Sequence, residues 1–174
     1  MKFFSDIRLL MLAVWLGASL FFIGVAASAF AVVPQRELAG AVVNRTLSIL
    51  NFAGMGIAVL LILTSFVAAS KVNQLWLWVE RFLLLIVGAT CAIGQFVLGF
   101  WLASVRNQIG RPIDEVAVDD PLRIQFNTLH DWSQWVLFAG MIAAFLAFFI
   151  ISNRKFSVVK TDDNVYDFKK EFKI

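Results

Sequence analysis

One uncharged stretch near the start of the chain, Leu9–Val33, reads LLMLAVWLGASLFFIGVAASAFAVV. It is longer than the about 20 apolar residues that a helix needs to cross the hydrocarbon core of a bilayer. Three further stretches also lack Asp, Glu, Lys and Arg: Thr46–Ser70, Phe82–Val105 and Trp132–Asn153. Since one charge at the centre of a membrane helix costs about 2.5–3.5 kcal/mol, four such stretches predict four membrane-spanning helices.

The composition favours the same fold. Hydrophobic residues make up 60% of the 174 positions, against about 45–50% in soluble domains. Backbone groups in lipid must be hydrogen-bonded within their own segment, which selects helices. We therefore predict an all-α protein, an integral membrane four-helix antiparallel bundle with a long outer loop between helices 3 and 4. The expected transmembrane domain covers residues 1–153, with spans near 9–33, 46–70, 82–105 and 132–153, and a charged cytoplasmic tail follows over 154–174.

The distribution of Lys and Arg predicts the orientation of the bundle. Four spans put both chain ends and the loop 71–81 on one side, and that side carries every lysine. We therefore expect both termini to be cytoplasmic, in the inner membrane of a bacterium. The first span is too long for a signal peptide, whose apolar core has about 7–15 residues, and is interpreted as an uncleaved anchor. We interpret the positive net charge of +3 as serving attachment of the cytoplasmic side to anionic lipid, and no nucleic-acid partner is predicted.

Small and polar residues at helical spacing predict the faces through which membrane helices pack. In chain order, the predicted faces of the four spans are Gly17, Gly24, Ser28 and Ala31; Asn51, Gly54, Ala58 and Ser65; Gly88, Cys91, Gln95 and Gly99; and Ser133, Gly140, Ala144 and Ala147. Glu80 and Arg81, which open the third span, are expected to form an exposed pair at the headgroup level. Asp120 followed by Pro121 predicts a helix start that continues into the fourth span.

The polar residues of the outer half are the candidate binding residues. His130, the only histidine, is interpreted chiefly as an anchor of the fourth span, and as a ligand of haem, a chlorophyll-type pigment or a metal in the alternative. The wider set could form either an interhelical hydrogen-bonded lock or a small cleft; it consists of His130, Asn51, Gln95, Arg45 and Ser133.

No cofactor and no metal site is predicted as the leading interpretation. Cys91, Met55 and Met141 lie near the midplane, and soft sulfur ligands would suit Cu(I) as a weaker alternative to ordinary apolar packing. In the tail, Val165, Phe168 and Phe172 are spaced for one helical face. That face is predicted to bind a partner protein or the lipid surface.

Two stretches carry a family resemblance: WLGASLFFIGVAASAFAVVPQRELAGAVVNRTL, Trp15–Leu47, and FNTLHDWS, Phe126–Ser133. They resemble small bacterial four-helix membrane proteins with an uncharacterised domain shared with transmembrane-protein-205-like proteins, distantly akin to the copper-resistance D family. The matching positions are Phe30, Pro34, Arg36, Ala39, Gly40, Asn44, Leu129, His130 and Ser133. The resemblance implies a four-helix bundle with no established activity, and its copper kinship slightly favours the metal or haem alternative.

The sequence shows no phosphate-binding loop, nucleophile elbow, metalloprotease motif or pair of intramembrane carboxylates, so we expect a protein that is not an enzyme. The leading expectation is an accessory or stabilising subunit that packs against other membrane proteins, lipids or pigments. The alternative is a small-molecule or ion handler, either a transporter or a haem- or copper-binding membrane component, with an outer polar cleft around His130.

Overall fold

The computed structural model describes residues 2–67 and 73–153, and this part of the chain is helical with no strand. The α-helices, in chain order, are α1 (Lys2–Val32), α2 (Arg36–Val67), α3 (Gln74–Ala92), α4 (Gly99–Ile109) and α5 (Pro121–Ser152). A π-helical segment, Ile93–Leu98, joins α3 to α4 without a break, so that the two act as one long helix. A short 3-10 turn, Ile113–Glu115, lies in the loop before α5.

Four of these helices are long and apolar enough to cross a membrane: Phe3–Val32, Arg36–Phe66, Gln74–Ile109 and Pro121–Ser152. They indicate an integral membrane protein and confirm the predicted all-α four-helix bundle. The helices run beyond the charge-free stretches at several ends, because a helix can continue into the interfacial region where charged side chains reach water. The predicted tail, with Val165, Phe168 and Phe172, lies outside the described residues, and the predicted domain division stays a prediction.

Both ends of the loop before α5 follow from local chemistry. Gly110 takes a left-handed backbone conformation, with φ of 65°, and its N–H donates to the carbonyl of Arg106, which ends α4. Asp120 accepts a hydrogen bond from the backbone N–H of Leu122 at 2.8 Å, and Pro121 occupies the first helical position. The predicted helix start at Pro121 is therefore confirmed.

The packing order defines two sides of the bundle. α1 packs on α2, α2 on α3, and α3 on α5, while α1 also contacts α5 and closes the bundle. The start of α1, the end of α2 and the start of α3 meet on one side, which we call the amino-terminal side. The start of α2, the end of α4 and the loop before α5 meet on the opposite side, which we call the loop side.

The face through which α1 packs is not the predicted one. Its buried residues alternate at spacings of three and four and are Ser5, Arg8, Leu12, Trp15, Ser19 and Phe22. The predicted small residues, Gly17, Gly24, Ser28 and Ala31, are exposed. The prediction for α1 is wrong because the middle of a four-helix bundle must be filled, and the indole of Trp15 fills it where small residues would leave a void.

The predicted packing faces of the other helices agree better with the observed burial. On α2 all four predicted residues are buried, and on α5 Gly140, Ala144 and Ala147 are buried while Ser133 is half-buried. Of the four residues predicted for the third long helix, which α3, the π-helical segment and α4 form together, Cys91 is buried and Gly88, Gln95 and Gly99 are half-buried. Small side chains let these backbones approach closely around Trp15.

Gly54 marks one of the closest helix approaches and yields a prediction. A Cβ atom at Gly54 would lie 2.6 Å from both Cys91 Sγ and Trp15 Nε1, whereas one at Gly56, on the same helix, meets nothing within 4 Å. We expect Gly54→Ala to lower the free energy of unfolding by about 1–3 kcal/mol, as overpacked cores do. Gly56→Ala should not lower it. Unfolding in detergent titrated with sodium dodecyl sulfate measures both, and equal stability would contradict the close approach.

Candidate functional site

A buried ion pair lies inside the bundle on the amino-terminal side. Arg8 of α1 donates hydrogen bonds from Nη2 to Oε1 of Glu80 in α3 and from Nη1 to Oγ1 of Thr64 in α2, the latter at 2.7 Å. The Arg8 side chain is 6% exposed and the Glu80 side chain 0%. Ionisable side chains within membrane spans are costly, and they commonly mark functional sites. This pair is therefore a first candidate site.

The expectation of an exposed Glu80–Arg81 pair is wrong. Glu80 falls on the buried stripe of α3, whose other members are Leu77, Leu84, Val87 and Cys91. Residues spaced by three and four lie on one helix face, so the same rotation that buries these apolar side chains turns Glu80 inward. The interior then requires a counter-charge, which α1 supplies in Arg8.

Arg81, the next residue, points to α2 instead. Its Nε donates to Ser65 Oγ at 2.8 Å, its Nη2 donates to the Ser65 carbonyl at 3.3 Å, and its guanidinium lies 4.0 Å from the centroid of the Phe66 ring. Arg8 and Arg81 thus tie the amino-terminal ends of α1 and α3 to the end of α2. Sequence reasoning missed this cluster, although the spacing of Glu80 from the apolar residues of α3 could have indicated it.

A second candidate site lies deeper in the bundle, beside the π-helix. It is a cavity of about 20 Å³, and its lining residues are Trp15, Leu47, Asn51, Thr90, Cys91, Gly94, Ser133, Val136 and Leu137. About 10–15 Å³ suffices for one water molecule, so the volume is large enough for water. The cavity is polar where Asn51, Thr90 and Ser133 face it and apolar elsewhere.

The π-helix shapes this cavity. The N–H of Gly99 donates to the carbonyl of Gly94, five residues earlier, which widens the helix by comparison with an α-helical turn. A Cβ atom on Gly94 would lie 3.3 Å from Nδ2 of Asn51. Because glycine has no side chain, the Asn51 amide can lie directly against the backbone of the third helix. Segments of π-helix are frequent at functional sites.

The structure brings together only part of the predicted outer polar set. Asn51 and Ser133 both line the cavity. Gln95 is half-buried, and Arg45 and His130 are exposed. His130 contacts Ser133 through its backbone carbonyl, which accepts a hydrogen bond from Ser133 Oγ at 2.6 Å. The lock, the cleft and the ligand role of His130 stay predictions.

The three sulfur-bearing candidates belong to one hydrophobic cluster. Cys91 is 3% and Met141 7% exposed, and Met55 packs against the cluster from its edge. Within residues 2–67 and 73–153, no group of three or more His, Cys, Asp and Glu side chains is placed to hold a metal ion. Binding of copper, haem or pigment stays the weaker alternative stated above, and nothing in the structure tests it.

Two exposed ion pairs join elements on the loop side. Arg36 at the start of α2 contacts Asp114 in the loop at 2.9 Å, and Arg106 of α4 contacts Glu37 at 3.1 Å. Exposed pairs of this kind contribute about 0–1 kcal/mol. They fix the position of the loop more than they stabilise the bundle.

Comparison with known proteins places the chain in a family. A family model described as a domain of unknown function, DUF4149, matches residues 10–111. The matched range runs from α1 to the loop after α4 and includes Trp15, Asn51, Glu80 and Cys91, whereas Arg8 precedes it. No curated protein and no solved structure matches the chain. The resemblance to transmembrane-protein-205-like proteins and to the copper-resistance D family is not shown by these comparisons. Since the match covers more than half of its residues, the chain belongs to the DUF4149 family.

Proposed function

We propose that this protein is a non-enzymatic accessory subunit of the membrane, which docks a transmembrane helix of another membrane protein against α1. The observation that carries the proposal is the exposed small-residue face of α1, formed by Gly17, Gly24, Ser28 and Ala31. A Cβ atom built on Gly17 or on Gly24 meets nothing within 4 Å. The face therefore remains open in the part of the chain that the structure describes.

The chemistry of this face favours a helix over lipid as its partner. Glycine inside a helix costs about 0.5–1 kcal/mol relative to alanine, and it gives lipid chains few atoms to contact. Inside the bundle, the chain uses glycine where helices approach most closely, at Gly54 and Gly140. The same residue type on the outside of α1 supports a second close approach, since small-residue stripes drive helix association in membranes.

Large side chains border the small-residue face and give it the shape of a groove. Leu20 is 62% and Phe21 74% exposed, and they lie on opposite flanks of the line from Gly17 to Gly24. A partner helix seated over the glycines would contact both side chains. This arrangement favours a helix with its own small residues at the contact, because small residues would let it approach the glycines closely.

Site-specific photocrosslinking in native membranes tests the proposal. A photoreactive amino acid replaces Gly17, Gly24 or Ala31, one at a time, in the full-length chain. We expect all three positions to give an adduct with the same partner polypeptide, since positions seven apart lie on one helix face. Gly56, an exposed glycine of α2 with nothing within 4 Å of its Cβ position, is the matched control and should give no such adduct.

A substitution then separates docking from folding. Gly24→Leu should not lower the free energy of unfolding, because the site is open, and should reduce the adduct yield from position 17 by about tenfold, equivalent to about 1.4 kcal/mol. Gly56→Leu should leave the yield unchanged. Adducts only with lipid, or an adduct of twice the mass of this chain, would overturn the accessory role, the latter because it shows a second copy on the face.

The proposed location is the bacterial inner membrane, with the amino-terminal side cytoplasmic. The lysines support this orientation, since all of them fall on that side of the predicted topology. The partner helix would then meet the half of α1 that leads toward the outer surface, where Gly24, Ser28 and Ala31 lie.

A further inference from the structure

We propose that the cavity beside Asn51 is a binding site for one water molecule, which bridges α2, α3 and α5 inside the membrane. Asn51 is 4% exposed and its amide lines the cavity. Within residues 2–67 and 73–153, no protein group is hydrogen-bonded to this side chain. An amide that lines a cavity in the bundle interior and has no protein partner is costly unless a ligand hydrogen-bonds to it, so a hydrogen-bonding ligand is favoured here.

Two residues with hydroxyl groups, each on one of the other two helices, line the cavity. Thr90 of α3 donates its single hydroxyl proton within its own helix, to the carbonyls of Ile86 and Val87 at 3.0 Å. Ser133 of α5 donates its proton to the carbonyl of His130. Since a hydroxyl has one proton and two lone pairs, both oxygens can still accept a hydrogen bond.

Water complements this set of groups. Asn51 Nδ2 carries N–H donors, so the water oxygen accepts from α2 while its two O–H groups donate to Thr90 Oγ1 of α3 and Ser133 Oγ of α5. Buried waters typically make about three hydrogen bonds, which is the number available. The volume of about 20 Å³ is sufficient for a water molecule. An apolar cavity of this size would stay dry, but three polar partners from three helices make this one a water site.

Magnetic resonance of the full-length, isotopically labelled protein in lipid nanodiscs tests the site, with water itself as the probe. We expect magnetisation transfer from a long-lived water molecule to the Nδ2 protons of Asn51. The indole N–H of Trp15, which lines the same cavity and donates to the Leu50 carbonyl at 3.1 Å, reports whether the fold is intact. If the Trp15 signal is native but no magnetisation is transferred from water to Asn51, the proposal is overturned.

Variants identify the partners of the water. Ser133→Ala and Thr90→Val each remove one acceptor with little change in shape, and each should reduce the transfer to Asn51 by several-fold. Asn51→Leu should abolish transfer from a long-lived water to the other residues that line the cavity, while the Trp15 indole signal stays native; if that variant does not fold, the Ser133→Ala and Thr90→Val double variant takes its place. Asn44→Leu, at an exposed position of α2, is the matched control and should change nothing. Transfer unaffected by loss of both hydroxyls would refute the bridge.

Discussion

Glu80→Leu is expected to be among the most damaging single substitutions in this protein, with a loss of about 3–5 kcal/mol in the free energy of unfolding. It leaves the guanidinium of Arg8, 6% exposed, inside the bundle without its carboxylate. The remaining hydrogen bond to Thr64 Oγ1, at 2.7 Å, involves a neutral partner and cannot balance the charge. Titration with sodium dodecyl sulfate in mixed micelles, followed by circular dichroism, measures the change.

The control is the double variant Arg8→Met/Glu80→Leu. It removes both charges and puts apolar side chains of similar size in their place, so most of the lost stability should return. The single variant Arg8→Met should be less stable as well, because it removes the guanidinium that balances the charge of the buried carboxylate. If the double variant is no more stable than Glu80→Leu, the loss comes from packing around position 80 and not from an unbalanced charge.

Trp15→Ala is expected to have an effect of similar size, about 3–5 kcal/mol, through packing. The Trp15 side chain is 2% exposed, and its Nε1 donates to the Leu50 carbonyl of α2 at 3.1 Å. Its ring lies beside Gly54 of α2 and Gly140 of α5, so it contacts two other helices. Alanine would leave a void that the glycine backbones cannot fill, since they carry no side chains to move inward.

Trp132→Ala provides the matched comparison for Trp15→Ala. Trp132 lies on α5 and is 60% exposed, so its removal should change the free energy of unfolding by less than about 0.5 kcal/mol. The same detergent titration applies to both variants. Comparable losses at the two positions would contradict the central place of Trp15 in the bundle.

The membrane-spanning architecture could be predicted because it depends on a simple physical exclusion. Charged side chains are kept out of the central turns of membrane-spanning helices, so the four stretches are visible without knowledge of contacts. The start of α5 could be predicted equally well, because Asp120 and Pro121 act within one helical turn. These features depend on neighbours in the sequence or on the solvent, and neither requires tertiary structure.

The rotation of α1 could not be predicted in the same way. Both of its faces are apolar, and the choice between the small-residue face and the face of Leu12, Trp15 and Phe22 depends on the shape of the space left by α2, α3 and α5. Small residues mark close helix contact, but they do not say whether the contact lies within the chain or with another molecule. The spacing of Arg8 from Leu12 and Trp15 was the available signal that this face turns inward.

The candidate sites were predictable only in part. Asn51 and Ser133 were identified as interhelical polar residues, and both line the cavity. Thr90 was not identified, because a hydroxyl that bonds its own helix resembles any other threonine in the sequence. The π-helix was not predicted either. The pair Gly94 and Gly99 is its one sign in the sequence, and the segment depends on contacts with α2 and α5 that the sequence does not show.

The ion pair has a consequence for biosynthesis. Arg8 and Glu80 are separated by 72 positions, so the first helix reaches the membrane before the ribosome has made its counter-charge. At about 5–20 residues per second, the delay is on the order of ten seconds. Until then, the long side chain of Arg8 can reach headgroup phosphates or water at the membrane boundary. The first helix, α1, therefore reaches its final position only after α3 has been inserted, and assembly proceeds in a fixed order along the nascent chain.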